Sequence, residues 1–329
     1  VLRNMTEMNL RDALSKGLRE ALDTNENVFL MGEDIGIYGG PYAVTKGLFE
    51  DYGSEKIIDT PISESGFVGA GIGSSMVGMK PIIEIMTINF SLLAIDQIVN
   101  HAAKMHYMSD GQLSVPIIIR TVTGAGGRLA ATHSQSFEGW YASVPGLIVV
   151  APSNPSDALG LLRASINDNN PIIFAEHSML YGVTGDVPDQ YYETPIGLPK
   201  IIEEGNDLTI IAWSGMIPVA QEVSSKLKDK KLQTEIVDLR TLNPIDFELI
   251  FNSVKKTNKV VILDEYWETG SFGAYICSVI QENCFDYLDA PIAVVNSLNI
   301  PMPYSADLED EVIPNTKRVL MKIDELLGL

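Results

Sequence analysis

Cysteine is nearly absent from this chain. Its 329 residues include only two, Cys277 and Cys284, with no second pair, so neither a disulfide framework nor a zinc ribbon can be built. Thiols this sparse fit a reducing compartment. Positive charge is also short: 23 Lys and Arg stand against 43 Asp and Glu, a formal net charge of −20, and that field repels a phosphate backbone. Nucleic acid is therefore excluded as a partner. Long apolar runs are missing too, because residues such as Glu84 and Asp96 interrupt each one before the roughly 18 residues that a spanning helix needs. A mean hydropathy of +0.11 is then read as buried subunit interface, not membrane. The chain has no G-x-x-x-x-G-K-[ST], no H-E-x-x-H and no G-x-S-x-G, which removes the phosphate-loop, zincin and α/β-hydrolase readings. No repeat of 20 to 50 residues argues for a solenoid. The opening residues Val1 to Met5 carry no apolar signal region, so the expectation is a chain without a targeting segment, or one from which it has been removed.

What is present is an alternation of short apolar runs with helical patterns. Hydrophobic residues make up 46%, enough for both halves of a chain this long to bury a core. Asn9 followed by Asp12 reads as a helix N-cap, with Leu10, Ala13, Leu14, Leu18, Ala21 and Leu22 at helical spacing to about Asp23. The helical pattern thus begins almost at once. Strand-like runs follow at Val28 to Met31, Lys56 to Asp59, Pro81 to Met86, Val115 to Arg120, Leu147 to Ala151 and Pro171 to Ala175. Helical patterns at Ser91 to Met108 and Ser156 to Asp168 lie between them, which is the βαβ rhythm of a parallel sheet covered on both faces. From Tyr181 to Pro199 glycine and proline break the pattern. It resumes with strands at Leu208 to Trp213, Thr234 to Leu239 and Lys259 to Leu263 and helices to about Lys228, over Phe247 to Lys256 and through Gln281. The fold class is α/β: a larger parallel-sheet domain over 1–185, a linker over 186–200 and a smaller α/β domain over 201–329.

Candidate chemical groups are few. His101 and His106 are five residues apart on one helical pattern, so they face different ways and do not share a metal. His177 follows a strand and carries no further signal. His133 lies in a Gly-rich loop, Gly124 to Ser136, after a strand, a setting that suits either a catalytic group or a structural one. Gly69, Gly71 and Gly73 have the wrong register for a dinucleotide fingerprint and read as close helix packing. Glu64 stands directly after a strand, at the first turn of an apolar helix whose free N–H groups and positive end favour a carboxylate. It is either a cap or, at the edge of the nearly uncharged stretch Phe67 to Met79, a carboxyl poised to exchange a proton.

The segments Gly32-Glu33-Asp34, Asp59-Thr60-Pro61-Ile62-Ser63-Glu64, Pro81 to Phe90, His133-Ser134-Gln135, Val144-Pro145-Gly146, Asp168-Asn169-Asn170-Pro171 and Pro301-Met302-Pro303-Tyr304 occur in one order along nearly the whole chain. Together they resemble the β subunits of the E1 component of 2-oxoacid dehydrogenase complexes. The resemblance implies a transketolase-like architecture with an N-terminal pyrimidine-binding domain, and thiamine diphosphate as cofactor. It implies that Glu64 hydrogen-bonds N1′ of the aminopyrimidine, that Phe90 stacks on that ring, and that His133 gives a proton during acyl transfer to lipoamide. It further implies a structural K⁺ on the backbone carbonyls of Ile117, Ser165, Ile166, Asp168 and Asn170.

The family holds the diphosphate and its Mg²⁺ through a Gly-Asp-Gly motif with a later Asn, and Gly-Asp-Gly does not occur here. The missing half is expected on an α subunit, in an α₂β₂ heterotetramer that docks onto a lipoyl-bearing E2 acyltransferase. Met86 to Phe90 resembles pyruvate dehydrogenases, while His133 to Ser136 and Ala212-Trp213 are also similar to branched-chain 2-oxoacid and acetoin types. Pyruvate is the expected substrate. The expected compartment is the bacterial cytoplasm, with the mitochondrial matrix or plastid stroma as alternatives. A reading of another class, an acidic α/β scaffold that only binds a ligand or partner, accounts for the absent Gly-Asp-Gly but not for Glu64, Phe90 and His133 together.

Overall fold

In the computed structural model the described residues are 4–328; Val1 to Arg3 and Leu329, which the expected domain ranges include, lie outside them. Among the described residues the first element is not a helix. Strand β1 (Met5–Asn9) comes first, and its partner is β8 (Thr184–Pro188), antiparallel, with Met5 opposite Pro188. No local pattern announces a strand whose partner lies so far along the chain. Asn9 then caps α1 (Leu10–Thr24) as expected, its side-chain oxygen accepting the Asp12 N–H at 2.8 Å.

The larger sheet has seven strands. After α1 come β2 (Val28–Gly32), α2 (Leu48–Tyr52), β3 (Ile57–Asp59), α3 (Glu64–Ser75), β4 (Lys80–Ile85), α4 (Ala103–Met108) and β5 (Ile118–Thr123). Next are α5 (Glu138–Ala142), β6 (Ile148–Val150), α6 (Pro155–Asn167) and β7 (Ile172–His177). The strand order is β12-β6-β7-β5-β4-β2-β3, parallel apart from β12 (Thr241–Asn243), which runs antiparallel to β6. That edge strand comes from the C-terminal part of the chain, a crossing that the sequence pattern did not signal. Successive side chains along the strands alternate between two cores. Phe29, Met31, Ile83, Ile85, Ile119 and Ile173 face one, and Val28, Leu30, Ile82, Ile118, Ile172 and Phe174 the other.

The second sheet has five strands in the order β14-β13-β10-β11-β9. They are β9 (Lys200–Glu203), β10 (Leu208–Ala212), β11 (Thr234–Asp238), β13 (Val260–Trp267) and β14 (Ala293–Ser297). Helices α7 (Met216–Asp229), α8 (Glu248–Thr257), α9 (Phe272–Cys284), α10 (Ala306–Val312) and α11 (Thr316–Leu327) complete this half. Residues Ile211, Trp213, Val237, Ile262, Phe272 and Ile276 join the same core as Phe67, Ile72 and Ile83 of the larger half. The two sheets are thus joined by continuous apolar packing.

The expected helix over Ser91 to Met108 is broken into a 3₁₀ segment (Ile88–Ala94), a π segment (Gln97–Ala102) and α4. The Thr87 hydroxyl oxygen accepts from Asn89, and the Ser91 hydroxyl hydrogen-bonds the Ile88 carbonyl and meets the Tyr141 hydroxyl at 2.6 Å. These contacts tighten the first turn. Of the α3 glycines expected to pack closely, Gly71 does so and Gly73 does not, since a Cβ on Gly73 would meet nothing within 4 Å. A Cβ on Gly71 would come within 2.8 Å of the Ile83 side chain across the helix–sheet contact.

Candidate functional site

The connection after β2 runs outward to β3, while the one after β4 runs the other way to β5, so the crevice at the C-terminal ends of β2 and β4 is a topological switch point. The expected groups come to this end of the sheet. Glu64 opens α3 just beyond β3, Phe90 sits beyond β4 and His133 in the loop beyond β5.

Glu64 is 4% exposed at the first position of α3. No hydrogen bond reaches its carboxylate among the described residues, and Ser63 gives no side-chain cap, so the capping alternative finds no bond to support it. Glu33, one residue past β2, is 6% exposed, and its Oε1 is buried without a partner. Burial first, then the Glu64 carboxylate, holds the Glu33 carboxyl above its usual range. Phe90 is half-buried, and its ring meets the imidazole of His133 edge to face with centroids 5.2 Å apart. Gln135 reaches back to the Asn89 side chain at 2.7 Å, tying the His133 loop to the turn that carries Phe90. His133 itself is exposed, with Nδ1 2.9 Å from the Thr132 hydroxyl.

Beneath these groups lies a buried charge platform. Arg120 holds Glu176 through two bonds of 2.7 and 2.8 Å and Glu84 through one of 2.7 Å, and Tyr181 donates to Glu176 at 2.7 Å. Burial still pushes Glu84 up, although Arg120 opposes it. His177 and Glu265 form a second buried pair at 2.8 Å between the two halves. Burial works against the imidazolium, but Glu265 outweighs it and raises the His177 pKa, while His177 outweighs the burial of Glu265 and lowers that one. Gly124 has φ +90, and a Cβ there would run into the His177 ring, so only glycine lets the loop leave β5 over this pair.

The residues expected around K⁺ lie at the opposite end of the sheet, where α6 ends and β5 and β7 begin. The Ile117 carbonyl accepts the Ile172 N–H at 2.9 Å, the Ser165 carbonyl the Asp168 N–H at 3.3 Å, and the Ile166 carbonyl the Lys80 ammonium at 2.7 Å. Each carbonyl keeps a second lone pair. His101 approaches Asp96 at 3.6 Å and His106 bonds the Leu113 carbonyl, and among the described residues no cluster of three or more His, Cys, Asp or Glu could hold a metal.

Sequence reasoning missed Glu33, Glu265, Arg128 and Glu309. Glu33 stands in a quoted segment, and its position one residue past a buried strand was the available signal. Asp264-Glu265 ends an apolar strand in the same way. Glu309 offered none.

A model of the transketolase pyrimidine-binding domain matches residues 6–184, and one of the transketolase C-terminal domain matches 197–319. The chain is 45% identical over 318 residues to the pyruvate dehydrogenase E1 component subunit beta, mitochondrial, of Dictyostelium discoideum, covering 95% of this chain and 89% of that one. It is 42% identical over 320 residues to the pyruvate dehydrogenase E1 component subunit beta of Rickettsia felis, covering 97% and 98%. A solved structure titled a split-gene transketolase, inactive β4 tetramer, shares the fold with a TM-score of 0.79 at 22% identity, covering 98% of this chain and 99% of that one.

Proposed function

The chain belongs to the family of pyruvate dehydrogenase E1 component β subunits, and from that premise we propose how its residues serve the oxidative decarboxylation of pyruvate and the reductive acetylation of lipoyl groups. The chain is the β subunit of a pyruvate dehydrogenase E1 component, a transketolase-like enzyme that uses thiamine diphosphate. Its alternative substrates, a branched-chain 2-oxoacid or acetoin, have no support among these relatives, and nor does a non-catalytic scaffold.

The observation that carries the site assignment is the Glu64 carboxylate, buried and without a hydrogen-bond partner, at the switch point of a parallel sheet. The buried Glu33 Oε1 beside it, without a partner, supports the reading that a group the chain does not supply completes the site. Glu64, Phe90 and the orphaned acceptors fit the pyrimidine half of thiamine diphosphate; the described residues do not fit the diphosphate and Mg²⁺ half. When bound, the cofactor supplies the carbon nucleophile on which a 2-oxoacid loses CO₂. Glu64 hydrogen-bonds and exchanges a proton with the ring nitrogen N1′. Phe90 gives the ring an apolar face, and its contact with His133 keeps that imidazole at the mouth. His133 donates a proton to the lipoyl sulfur.

The Mg²⁺ is held mainly by an α subunit, in an α₂β₂ heterotetramer that hands its acyl group to a lipoyl-bearing E2. K⁺ on Ile117, Ser165, Ile166, Asp168 and Asn170 is a structural ion that uses the second lone pairs of these carbonyls, beside the Lys80 ammonium on Ile166. The domains are 1–185 and 201–329 with the connecting segment 186–200. No helix is long and apolar enough to cross a membrane. The proposed compartment is the bacterial cytoplasm, with matrix or stroma as alternatives; bacterial and mitochondrial relatives both occur.

The test is dependence on the partner. The chain alone should bind thiamine diphosphate weakly and release no CO₂ from pyruvate, and adding the α chain should restore both with dye as acceptor. Tight Mg²⁺-dependent binding by the chain alone would overturn the heteromeric reading. A preference for a branched-chain 2-oxoacid over pyruvate would overturn the substrate.

A further inference from the structure

The loop from Gly124 to Ser136 has a backbone that should not hold its own shape. Gly124, Gly126, Arg128 and Ala130 all have positive φ, at +90, +95, +59 and +64. Two of these are not glycine, a state that persists only where the surroundings impose it. What imposes it comes from the C-terminal half of the chain. Glu309 in α10, fully buried, accepts the Gly126 N–H at 3.1 Å, the Arg128 N–H at 3.3 Å and the Arg128 guanidinium at 2.7 Å. Glu265 takes the Ala125 N–H at 2.6 Å, and Ala125 packs with Met302 and Val312 beside α10. Asp310 grips the outer edge of the same guanidinium at 2.8 Å, on the exposed side.

From this we infer that Glu309 is a positioning residue for acyl transfer. Its carboxylate, reaching across from the C-terminal domain, fixes the loop conformation that presents His133. This rests on the proposed role of His133, which lies five residues beyond Arg128, is exposed, and meets the Thr132 hydroxyl and the Phe90 ring. A full negative charge is required, because one group serves two backbone donors and a cation; an amide has one acceptor oxygen and would turn its own N–H against them.

The experiment uses the protein assembled with its α chain and compares wild type with Glu309→Gln, Arg128→Ala, Asp310→Asn and His133→Ala. The first readout is hydrogen exchange of the peptide spanning 124–133. Glu309→Gln should speed its exchange about tenfold or more, Arg128→Ala less, and Asp310→Asn hardly at all. The second is the ratio of lipoyl acetylation to dye-linked decarboxylation of pyruvate, which Glu309→Gln should lower about tenfold, in the same direction as His133→Ala. Unchanged exchange in Glu309→Gln and in Arg128→Ala overturns the inference. So does faster exchange with an unaltered ratio, provided that His133→Ala lowers the ratio. If His133→Ala depresses both assays equally, it is the His133 role that fails, and the exchange result alone then decides whether Glu309 sets the loop. Arg128→Ala, altered at a partly exposed side chain, keeps the test open should Glu309→Gln not fold.

Discussion

The C-terminal strand ends of the two sheets both carry buried carboxylates and treat them in opposite ways. On the seven-stranded sheet, Glu33 after β2, Thr60 after β3 and Ser134 beyond β5 each keep a buried oxygen without a partner. On the five-stranded sheet the Ser214 hydroxyl after β10 is likewise without a partner, but the carboxylates at the C-terminal strand ends are occupied. Asp238 at the end of β11 accepts the Ser153 hydroxyl and the Arg240 N–H, Asp264 in β13 the N–H groups of Tyr266 and Gly273, and Glu265 those of Ala125 and His177. An unpaired buried polar atom costs stability, so a ligand that completed Glu33, Thr60 and Ser134 would recover that cost. In the proposed function the first set of strand ends receives the cofactor, while the second set bonds within the protein and braces the first.

The comparison is broken most directly by exchanging a carboxylate in each region. Glu64→Gln should leave assembly and melting nearly unchanged while turnover falls roughly a hundredfold to ten-thousandfold, the range of lost acid–base assistance. Near-normal C2–H/D exchange of the bound cofactor in the folded variant would defeat the assignment. Glu265→Ala should do the reverse and act first on stability. It strands His177 and the Ala125 N–H, at a cost of about 3–5 kcal/mol in chemical denaturation of the assembled protein. A loss below about 1 kcal/mol would mean that the pair does not brace the interface.

The open region was legible in sequence and the brace largely was not, for a physical reason. Glu64 announces itself by local context, a carboxylate at a helix start after a strand, and α1, β2, β4 and β7 by periodicity with caps and turns. The brace is made by pairs such as Gly126 with Glu309 or Thr123 with Glu138, whose partners are set by topology; β1 with β8 and β12 with β6 are missed on the same ground. Phe90 was indicated only by the family resemblance, and the breaking of the helix expected over Ser91 to Met108 follows from Thr87, Ser91 and Tyr141 side chains that meet only in the fold. Of the histidines, His133 was singled out and His177 left open, because a buried ion pair leaves no trace until Glu265 is found opposite.

A pH series sharpens the contrast at the boundary of the two regions. Glu138 in α5 is buried, accepts the Thr123 hydroxyl at 2.5 Å and is pushed up to about 7, by burial first and then, more weakly, by Glu265 and Asp264. The folded state therefore holds this proton more tightly than the unfolded chain does. Its contribution is complete below the ordinary carboxyl range, falls as pH rises, and is gone once pH has passed about 7. Glu138→Gln keeps the acceptor and removes the titration. It should stabilise the protein by on the order of 2 kcal/mol more at pH 8.5 than at pH 5.5. A stability difference from wild type that is flat across this range would show that Glu138 does not titrate there.

The smallest effect concerns the far end of the sheet, where carbonyls and not carboxylates are in play. The Lys80 ammonium on the Ile166 carbonyl already puts a positive charge where the α6 C-terminus presents its negative end. A K⁺ ion on these carbonyls would sit beside that ammonium, so the two cations repel and compete for one role. If the ion binds, exchanging K⁺ for Na⁺ should lower the melting midpoint of the wild type only slightly, and that of Lys80→Met more, by an amount on the order of 1 kcal/mol, or a few degrees. The variant has lost its internal cation and depends on the dissolved one. Identical midpoints in the two salts, for both chains, would retire the potassium site and leave the Lys80 ammonium as the cation on the Ile166 carbonyl.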